Sequence, residues 1–174
     1  FLQQYGVSTA YAAKIYRQYG KESIDNVKEN PYRLADDIWG IGFKTADGIA
    51  SKMGYEKNDL RRCKSGISYT LNELSNEGHV YAIEEQLIEA AKKLLEADEE
   101  PIRQAISEMI ASEDLIRENE AIYLPPFYHS ERGTAKKLLT LINSQGANNL
   151  GLKADIKAIE KASGIEYDEV QIAA

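Results

Sequence analysis

The sequence predicts a mostly α-helical protein in which two tandem helical hairpins precede a compact helical unit with a small β-hairpin and further C-terminal helices. Three observations predict this fold. A glycine-containing turn between apolar-periodic stretches occurs twice near the start of the chain. Three amphipathic segments of helical period follow between residues 61 and 112, and residues 115–124 place two apolar stretches around a polar turn. A chain of 174 residues is long enough for one large domain or two to three small ones.

The most informative stretch is residues 34–54, where a Gly40-Ile41-Gly42 turn separates two segments with helical periodicity. The glycines allow backbone angles closed to other residues, and Ile41 can point back between the helices as a peg. The first amides of the second helix lack intrahelical partners and lie at the positive end of the helix dipole, which suits a phosphate oxygen. Lys44 and Thr45 stand where a cation and a hydroxyl can join these amides. This pattern is typical of a helix-hairpin-helix.

The first 20 residues repeat the pattern in weaker form. At an offset of 34 residues Gly6 aligns with Gly40 and Ser8 with Gly42, so two hairpins in tandem are predicted. Because Ser8 replaces the second glycine, either the amide geometry is poorer there, or Ser8 and Thr9 cap the helix and offer hydroxyls to a phosphate. Related by a pseudo-twofold axis, the two turns would face the two strands of a duplex or follow one strand.

A winged-helix-like unit is predicted after the hairpins, from helices at residues 61–75, 84–95 and 101–112 and a β-hairpin at residues 115–124. In DNA-binding members of this class the third helix enters the major groove. Here that helix exposes Arg103, Gln104, Ser107 and Glu108 and follows three acidic residues at 98–100. Phosphate repulsion therefore favours a structural or protein-contact role.

Charge is unevenly distributed along the chain, whose net charge is −7. Residues 1–60 hold 8 basic and 8 acidic side chains, residues 61–130 hold 7 and 14, and residues 131–174 hold 6 and 6. The balance argues against a general nucleic-acid binder but allows the neutral first segment to bind phosphate through oriented amides.

Catalytic and metal-binding patterns are absent from the sequence. His79 and His129 lack partners at ligand spacing, so no metal site is expected. Cys63, near arginines and a lysine, is interpreted as a partly buried spectator, with a slightly activated thiol as the alternative. A single cysteine forms no internal disulfide, and we recognise no signal peptide or membrane-spanning run, so a cytoplasmic location and no membrane contact are expected.

The remaining residues predict a helix at 131–142, a loop at 144–151 and a last helix at 154–162. Three regions are therefore expected: hairpins at 1–58, the winged-helix-like unit at 59–127, and a helical linker at 128–174. The start at Phe1 suggests an excised fragment of a longer protein.

The central turn resembles the helix-hairpin-helix of DNA repair and recombination proteins, which holds the sugar-phosphate backbone without reading bases. The whole order of parts, with Glu-Gly-His at 77–79, Tyr-Leu-Pro at 123–125 and a closing Tyr-Asp-Glu-Val-Gln-Ile-Ala-Ala, resembles the N-terminal region of RecD-like superfamily 1 DNA helicases. These are also described as RecD/TraA-type or exodeoxyribonuclease V alpha-chain-like proteins.

This resemblance implies a bacterial parent that unwinds DNA 5′→3′ with ATP and Mg²⁺ in repair and recombination. In that family a glutamine before the phosphate loop contacts the adenine of ATP, and Gln171 matches that position. The phosphate loop itself, Gly-x-x-x-x-Gly-Lys-Ser/Thr, is absent from the chain, so the fragment is expected to be non-catalytic and to hold no cofactor of its own.

Four functions remain open from the sequence. The favoured one is an accessory region that binds or guides single-stranded or duplex DNA for the helicase. A second is a scaffolding module in which acidic residues at 96–100 and 113–120 meet a replication or repair protein. A third, a ligase or nuclease component, is disfavoured by Gln171 and the lack of metal ligands. The fourth is that the hairpin turns serve only to pack helices.

Overall fold

A computed structural model of the chain describes residues 1–143, 152–168 and 170. The α-helices are α1 (Thr9–Tyr19), α2 (Ser23–Glu29), α3 (Arg33–Asp37), α4 (Phe43–Lys52), α5 (Leu60–Asn76), α6 (Glu84–Leu95), α7 (Glu99–Ala111), α8 (Pro125–Asn143) and α9 (Leu152–Ser163). The strands are β1 (Ala82–Ile83), β2 (Ile116–Glu118) and β3 (Ala121–Tyr123), and short 3₁₀-helices span Leu2–Tyr5 and Gly20–Glu22. The predicted mostly α-helical fold is confirmed.

Helices α1 to α4 form the two predicted hairpins. In the first, the 3₁₀-helix Leu2–Tyr5 turns into α1; in the second, α3 turns into α4; and α2 connects them. The aliphatic residue at the centre of each turn points inward, because Val7 is 4% exposed and Ile41 is 2% exposed. Both side chains join the hydrophobic core, so the peg predicted at Ile41 is confirmed and has a counterpart in the first hairpin.

Helices α5 to α7 pack against one another in the part of the chain that follows. Helix α6 has the predicted bounds, whereas α7 begins at Glu99, two residues before the predicted start. Asp98 has extended backbone angles and is the N-cap, and the two glutamates after it lie where the helix dipole favours negative charge. Close packing also constrains α5, because a β-carbon added at Gly66 would lie 2.6 Å from a methyl of Leu95.

The predicted β-hairpin is present and belongs to a three-stranded antiparallel sheet of order β1-β3-β2. Ile116 pairs with Tyr123 across the hairpin, and Ala82 of β1 pairs with Ile122 on the other side of β3. Strand β1 was not predicted, because two residues are too few for a period-2 pattern to be recognised.

One hydrophobic core runs from the hairpins through α5 to α7 and the sheet. Residues 1–132 form a single compact unit, so the predicted boundary near residue 58 lies within a shared core. That the three regions are independent domains therefore stays a prediction. The largest fully buried side chains include Ile15, Tyr32, Leu34, Ile41, Ile67, Leu87, Ile88, Leu95, Ile102, Ile106, Leu115 and Ile122.

The second compact unit comprises residues 133–174. Helix α8 begins at Pro125, in the first unit, rather than at the predicted residue 131. The predicted start left Pro125 and Pro126 outside the helix, but proline is tolerated in the first turn of a helix, where its missing N–H has no partner to lose. The predicted loop at 144–151 and Gln171 lie outside the described residues.

Two further observations apply to the described residues alone. None of their helices is both long and apolar enough to cross a lipid bilayer. In the same residues, no three histidine, cysteine or acidic side chains converge on a site that would hold a metal ion.

Candidate nucleic-acid interface

The second turn leaves the first amides of α4 without hydrogen-bond acceptors inside the protein. Gly40 has φ 90° and the amide of Ile41 donates to the carbonyl of Ile38 at 3.0 Å, which closes the turn. The amides of Thr45 and Ala46 donate to the carbonyl of Gly42. Within the described part of the chain, the amides of residues 42, 43 and 44 have no intramolecular acceptor, as expected for the first turn of a helix. These three donors form the predicted anion-binding feature.

The first turn has almost the same backbone. Gly6 has φ 81°, and the carbonyl of Ser8 accepts from the amide of Ala12 at 2.8 Å, as Gly42 accepts from Ala46 at 3.1 Å. The hydroxyl of Ser8 accepts from the amide of Tyr11 at 3.2 Å. Of the two alternatives left open by the sequence, Ser8 therefore acts as the N-cap.

Gly42 does not need to be glycine for conformational reasons, contrary to the sequence-based expectation that both glycines permit special angles. Its φ is −92° and its ψ 174°, close to the −65° and 156° of Ser8. These are extended angles that any residue adopts. A β-carbon added at Gly42 would point into open space, so only Gly40 of this turn requires glycine for its angle.

Each turn faces a lysine of the other hairpin. Lys14 of α1 donates from Nζ to the carbonyl of Trp39 at 3.1 Å, and the same Nζ lies 3.1 Å from where a β-carbon of Gly40 would be. Lys52 of α4 lies against Gly6, where an added β-carbon would overlap its ammonium group. Each turn thus receives a cation from its partner hairpin, whereas the pseudo-twofold relation of the hairpins stays a prediction.

From the sequence, Lys14 was a residue that could add charge to the first hairpin, with a solvated surface position as its default, and Lys52 was not considered. The signal that could have found both was the repeat itself. A twofold relation between hairpins brings the second helix of one beside the turn of the other, so lysines on α1 and α4 were candidates.

The predicted residues Lys44 and Thr45 lie in the first turn of α4, beside the exposed amides. The Lys44 ammonium lies over the ring of Tyr69 on α5, 5.7 Å from its centroid. Lys44 is exposed and Thr45 half-buried. Thr9, the threonine predicted to offer a hydroxyl in the first hairpin, accepts a hydrogen bond from the Gln3 side-chain amide at 3.3 Å. The residues predicted for the second site thus lie together in space, with Ile41 contributing only backbone because its side chain is buried.

Negative charge near the second turn is partly neutralised. The Asp37 carboxylate accepts a hydrogen bond from the Tyr19 hydroxyl at 2.7 Å and lies 3.7 Å from the Arg33 guanidinium. Burial, and then the hydrogen bond to Asp37, raises the pKa of Tyr19, so this phenol stays protonated and keeps donating. Asp37 is therefore held by one partner on its own helix α3 and by one on α1 of the first hairpin.

The exposed positions of α7 do not form a second cationic surface. Arg103 forms ion pairs with Glu85 and Glu99, both at 2.8 Å, and Glu108 pairs with Lys64 at 2.8 Å. The hydrogen bonds from Arg103 lower the pKa of Glu85 and Glu99, which holds both carboxylates ionised. The expected electrostatic obstacle to DNA at this helix is thus present in the structure.

The remaining candidates from the sequence are inert in this geometry. Cys63 is fully buried, and burial raises the pKa of its thiol, which excludes the activated-thiol alternative. His79 and His129 are exposed. Gln171, matched to adenine recognition in the helicase parent, is among the residues whose positions are not described.

Two glycine turns with buried aliphatic pegs, each followed by a helix whose first amides lack intramolecular acceptors, define a helix-hairpin-helix protein. Comparison with known families agrees with this class. Residues 1–81 match the family model described as the HHH domain of the ATP-dependent RecD2 DNA helicase. The resemblance to the N-terminal region of RecD-like helicases is therefore confirmed over these residues.

Proposed function

We propose that residues 1–81 bind the sugar-phosphate backbone of DNA without reading bases, as a non-catalytic accessory region of a helicase. The exposed amides at residues 42–44 would receive one phosphate and those following Ser8 another. Lys14 would add charge at the second turn and Lys52 at the first. Phosphate contacts of this kind fix position but carry no sequence information.

The observation that carries the proposal is the exchange of lysines between the hairpins. Lys14 also supports the turn itself through the Trp39 carbonyl, but an ammonium group beside amides without acceptors would in addition give a phosphate both charge and a donor. Lys14 lies beside Gly40 and Lys52 beside Gly6, so each turn has an ammonium group next to it. The two lysines come from different positions in their helices. The family match supports the same class of ligand.

Affinity is expected to be weak and salt-sensitive. Residues 1–60 carry equal numbers of acidic and basic side chains, so attraction depends on local arrangement rather than net charge. Each phosphate neutralised on a duplex adds about 0.9 to the slope of log affinity against log salt.

The direct test is fluorescence anisotropy of labelled single-stranded and duplex oligonucleotides titrated with the protein at low salt. Lys44→Glu and Lys14→Glu should each weaken binding several-fold, because each replaces an attraction to phosphate by a repulsion. Lys93→Glu is the matched control, since Lys93 is an exposed lysine on α6 and the change in net charge is the same. Equal losses in all three variants would point to a nonspecific charge effect, and unchanged affinity for Lys44→Glu would count against the second turn as the contact.

We further propose, from the family resemblance, that the parent is an ATP- and Mg²⁺-dependent 5′→3′ DNA helicase of repair and recombination acting in the bacterial cytoplasm. Gln171 would contact adenine in that parent. An ATPase and unwinding assay on the full-length parent, with Gln171→Ala, tests this proposal. A 3′→5′ polarity would contradict it.

A second function is favoured by the ion pairs on α7. We propose that residues 59–127 form a winged-helix-like unit that contacts a replication or repair protein rather than DNA. The unit has more acidic than basic residues, and Arg103 is already paired with Glu85 and Glu99, so the surface suits a basic partner. A pull-down with the native protein should enrich such a partner, and neutralising the acidic residues at 96–100 and 113–120 should release it. Retention by the neutralised variant would contradict this surface.

A further inference from the structure

We infer that Trp39 is a stacking platform for one unpaired base, so that the second hairpin prefers single-stranded DNA to duplex. This inference rests on the proposed backbone binding by the same hairpin and specifies its ligand. Trp39 is the only tryptophan of the chain, and its side chain is 91% exposed. A tryptophan this exposed contributes almost nothing to the core, so stability of the fold does not explain its presence.

The repeat shows that an exposed ring at this position is not a requirement of the hairpin. Tyr5 occupies the equivalent position in the first hairpin and is half-buried, with its ring packed edge-on against Phe1 at 5.0 Å. The residue before the first glycine of the turn therefore packs against the core in the first hairpin and faces solvent in the second. Only the second hairpin pairs an exposed ring with its turn.

Lys14 fixes the surroundings of the ring. Its Nζ donates to the carbonyl of Trp39 and lies 5.6 Å from the ring centroid, within the range of a cation–π contact. The same ammonium lies 5.9 Å from the ring centroid of Tyr11. The lysine thus occupies one side of the indole, and the 91% exposure leaves the rest of the ring open to a ligand.

The neighbours of Trp39 indicate a nucleic acid rather than a protein. The core of a protein interface is typically depleted of charged residues, lysine included, and enriched in aromatic side chains. Trp39 is instead followed by exposed Gly40 and Gly42 and by the free amides at residues 42–44, with a lysine ammonium at hand. An aromatic face beside phosphate-binding donors is the arrangement by which proteins hold single strands.

An unpaired base is the specific ligand that fits. Bases inside a duplex are stacked on both faces, and exposing one costs a few kcal/mol in unstacking, whereas a single strand has free faces. Trp39 lies three residues before the first of the acceptor-free amides at residues 42–44. One strand would therefore place a phosphate at the turn and a neighbouring base on the indole.

The experiment compares three labelled ligands of equal length by anisotropy: single-stranded oligo-dT, an abasic sugar-phosphate strand, and a duplex. Native protein should bind oligo-dT more tightly than the abasic strand. Trp39→Ala should lose roughly 5- to 100-fold for oligo-dT and little for the abasic strand, because stacking is lost while phosphate contacts remain. Trp39→Phe, which retains an aromatic face, should recover part of the affinity. Tyr167→Ala is the control, since Tyr167 is another exposed aromatic residue, 37% exposed, and lies in the second compact unit.

The outcomes separate the two proposals. Equal binding of oligo-dT and abasic strand, unchanged by Trp39→Ala, would overturn base stacking while leaving backbone binding intact. No binding of any ligand by the native protein would overturn both. Quenching of Trp39 fluorescence by oligo-dT but not by the abasic strand would support stacking independently of affinity. Thermal unfolding of Trp39→Ala should match native, because the ring is exposed.

Discussion

At Gly40 the backbone is left-handed, whereas at Gly42 it is extended, and this difference gives a matched pair of substitutions. Gly40→Ala should destabilise the protein by about 1–2 kcal/mol, because an L residue is strained at φ 90° and its methyl would crowd Lys14. Gly42→Ala should leave stability unchanged or raise it by less than about 1 kcal/mol, since its angles suit alanine. Urea unfolding of both variants checks this. Equal losses would contradict the assignment of angles.

The N-cap of α5 predicts a dependence of stability on pH. Hydrogen bonds from the Arg61 side chain lower the pKa of Asp59, whose carboxylate also caps the helix at the Arg61 amide. A lowered pKa in the folded state stabilises the protein above the unfolded pKa of about 3.9, and the effect is lost as pH falls through the folded pKa. Asp59→Asn retains the cap but not the charge.

Asp59→Asn should therefore be less stable than native at pH 7, by at most about 1 kcal/mol because the Arg61 side chain is 44% exposed. The difference should shrink as pH falls below about 4. Urea unfolding of both proteins at neutral and acidic pH measures it. A difference that grows on acidification would contradict the sign of the pKa shift.

At the scale of elements, Arg62 joins the hairpins to the helices that follow. It forms a two-pronged ion pair with Asp47 of α4 at 2.7 and 2.9 Å and donates to the carbonyl of Leu95 at 2.6 Å. The Tyr32 hydroxyl also donates to Asp47 at 3.0 Å; burial and then Asp47 raise the pKa of this phenol. One guanidinium thus links α4, α5 and α6.

Arg62→Met should destabilise the protein by on the order of 3 kcal/mol, because it leaves a largely buried carboxylate without its partner. Lys57→Ala, which removes an exposed ion pair with Glu96 at 2.7 Å, should cost less than about 1 kcal/mol. Chemical denaturation of the two variants compares a buried with an exposed ion pair. Similar losses would mean that Arg62 does not join the elements as described.

The elements with a local cause were predictable from the sequence. The 3.6-residue period fixed α6 to the residue, and the buried peg Ile41 followed from its place between two glycines. The β-hairpin followed from its polar turn, but β1 is two residues long and exists only through its pairing with β3. The early start of α8 at Pro125 was missed because proline reads equally well as a break or as a first turn.

The candidate site was likewise predictable only in part. Its amides lie in one stretch of chain and were predictable, whereas Lys14 at Gly40 and Lys52 at Gly6 depend on how the hairpins pack. The 91% exposure of Trp39 was equally out of reach, because its aligned counterpart Tyr5 is half-buried. Spacing within a helix indicates which face is apolar. Contacts between residues that are 25 or more positions apart in the sequence are set by tertiary packing instead.

At the scale of the whole molecule, the distribution of charge differs between the hairpins and the helices that follow them. The hairpins have no net charge and contain the acceptor-free amides together with Lys14 and Lys52. The excess of acidic residues lies in residues 61–130, where Arg103 forms ion pairs with Glu85 and Glu99. This distribution agrees with our proposals that the hairpins bind DNA and that the acidic helices contact a protein partner.

The most direct test of the central claim is the salt dependence of duplex binding by native protein and by a Lys14→Gln/Lys52→Gln double variant. If both lysines neutralise phosphates, the slope of log affinity against log salt should become shallower by about 1.8 in the double variant. Lys93→Gln, which removes a lysine from α6, should leave the slope unchanged. An identical slope for the native protein and the double variant would contradict phosphate binding by the paired hairpins.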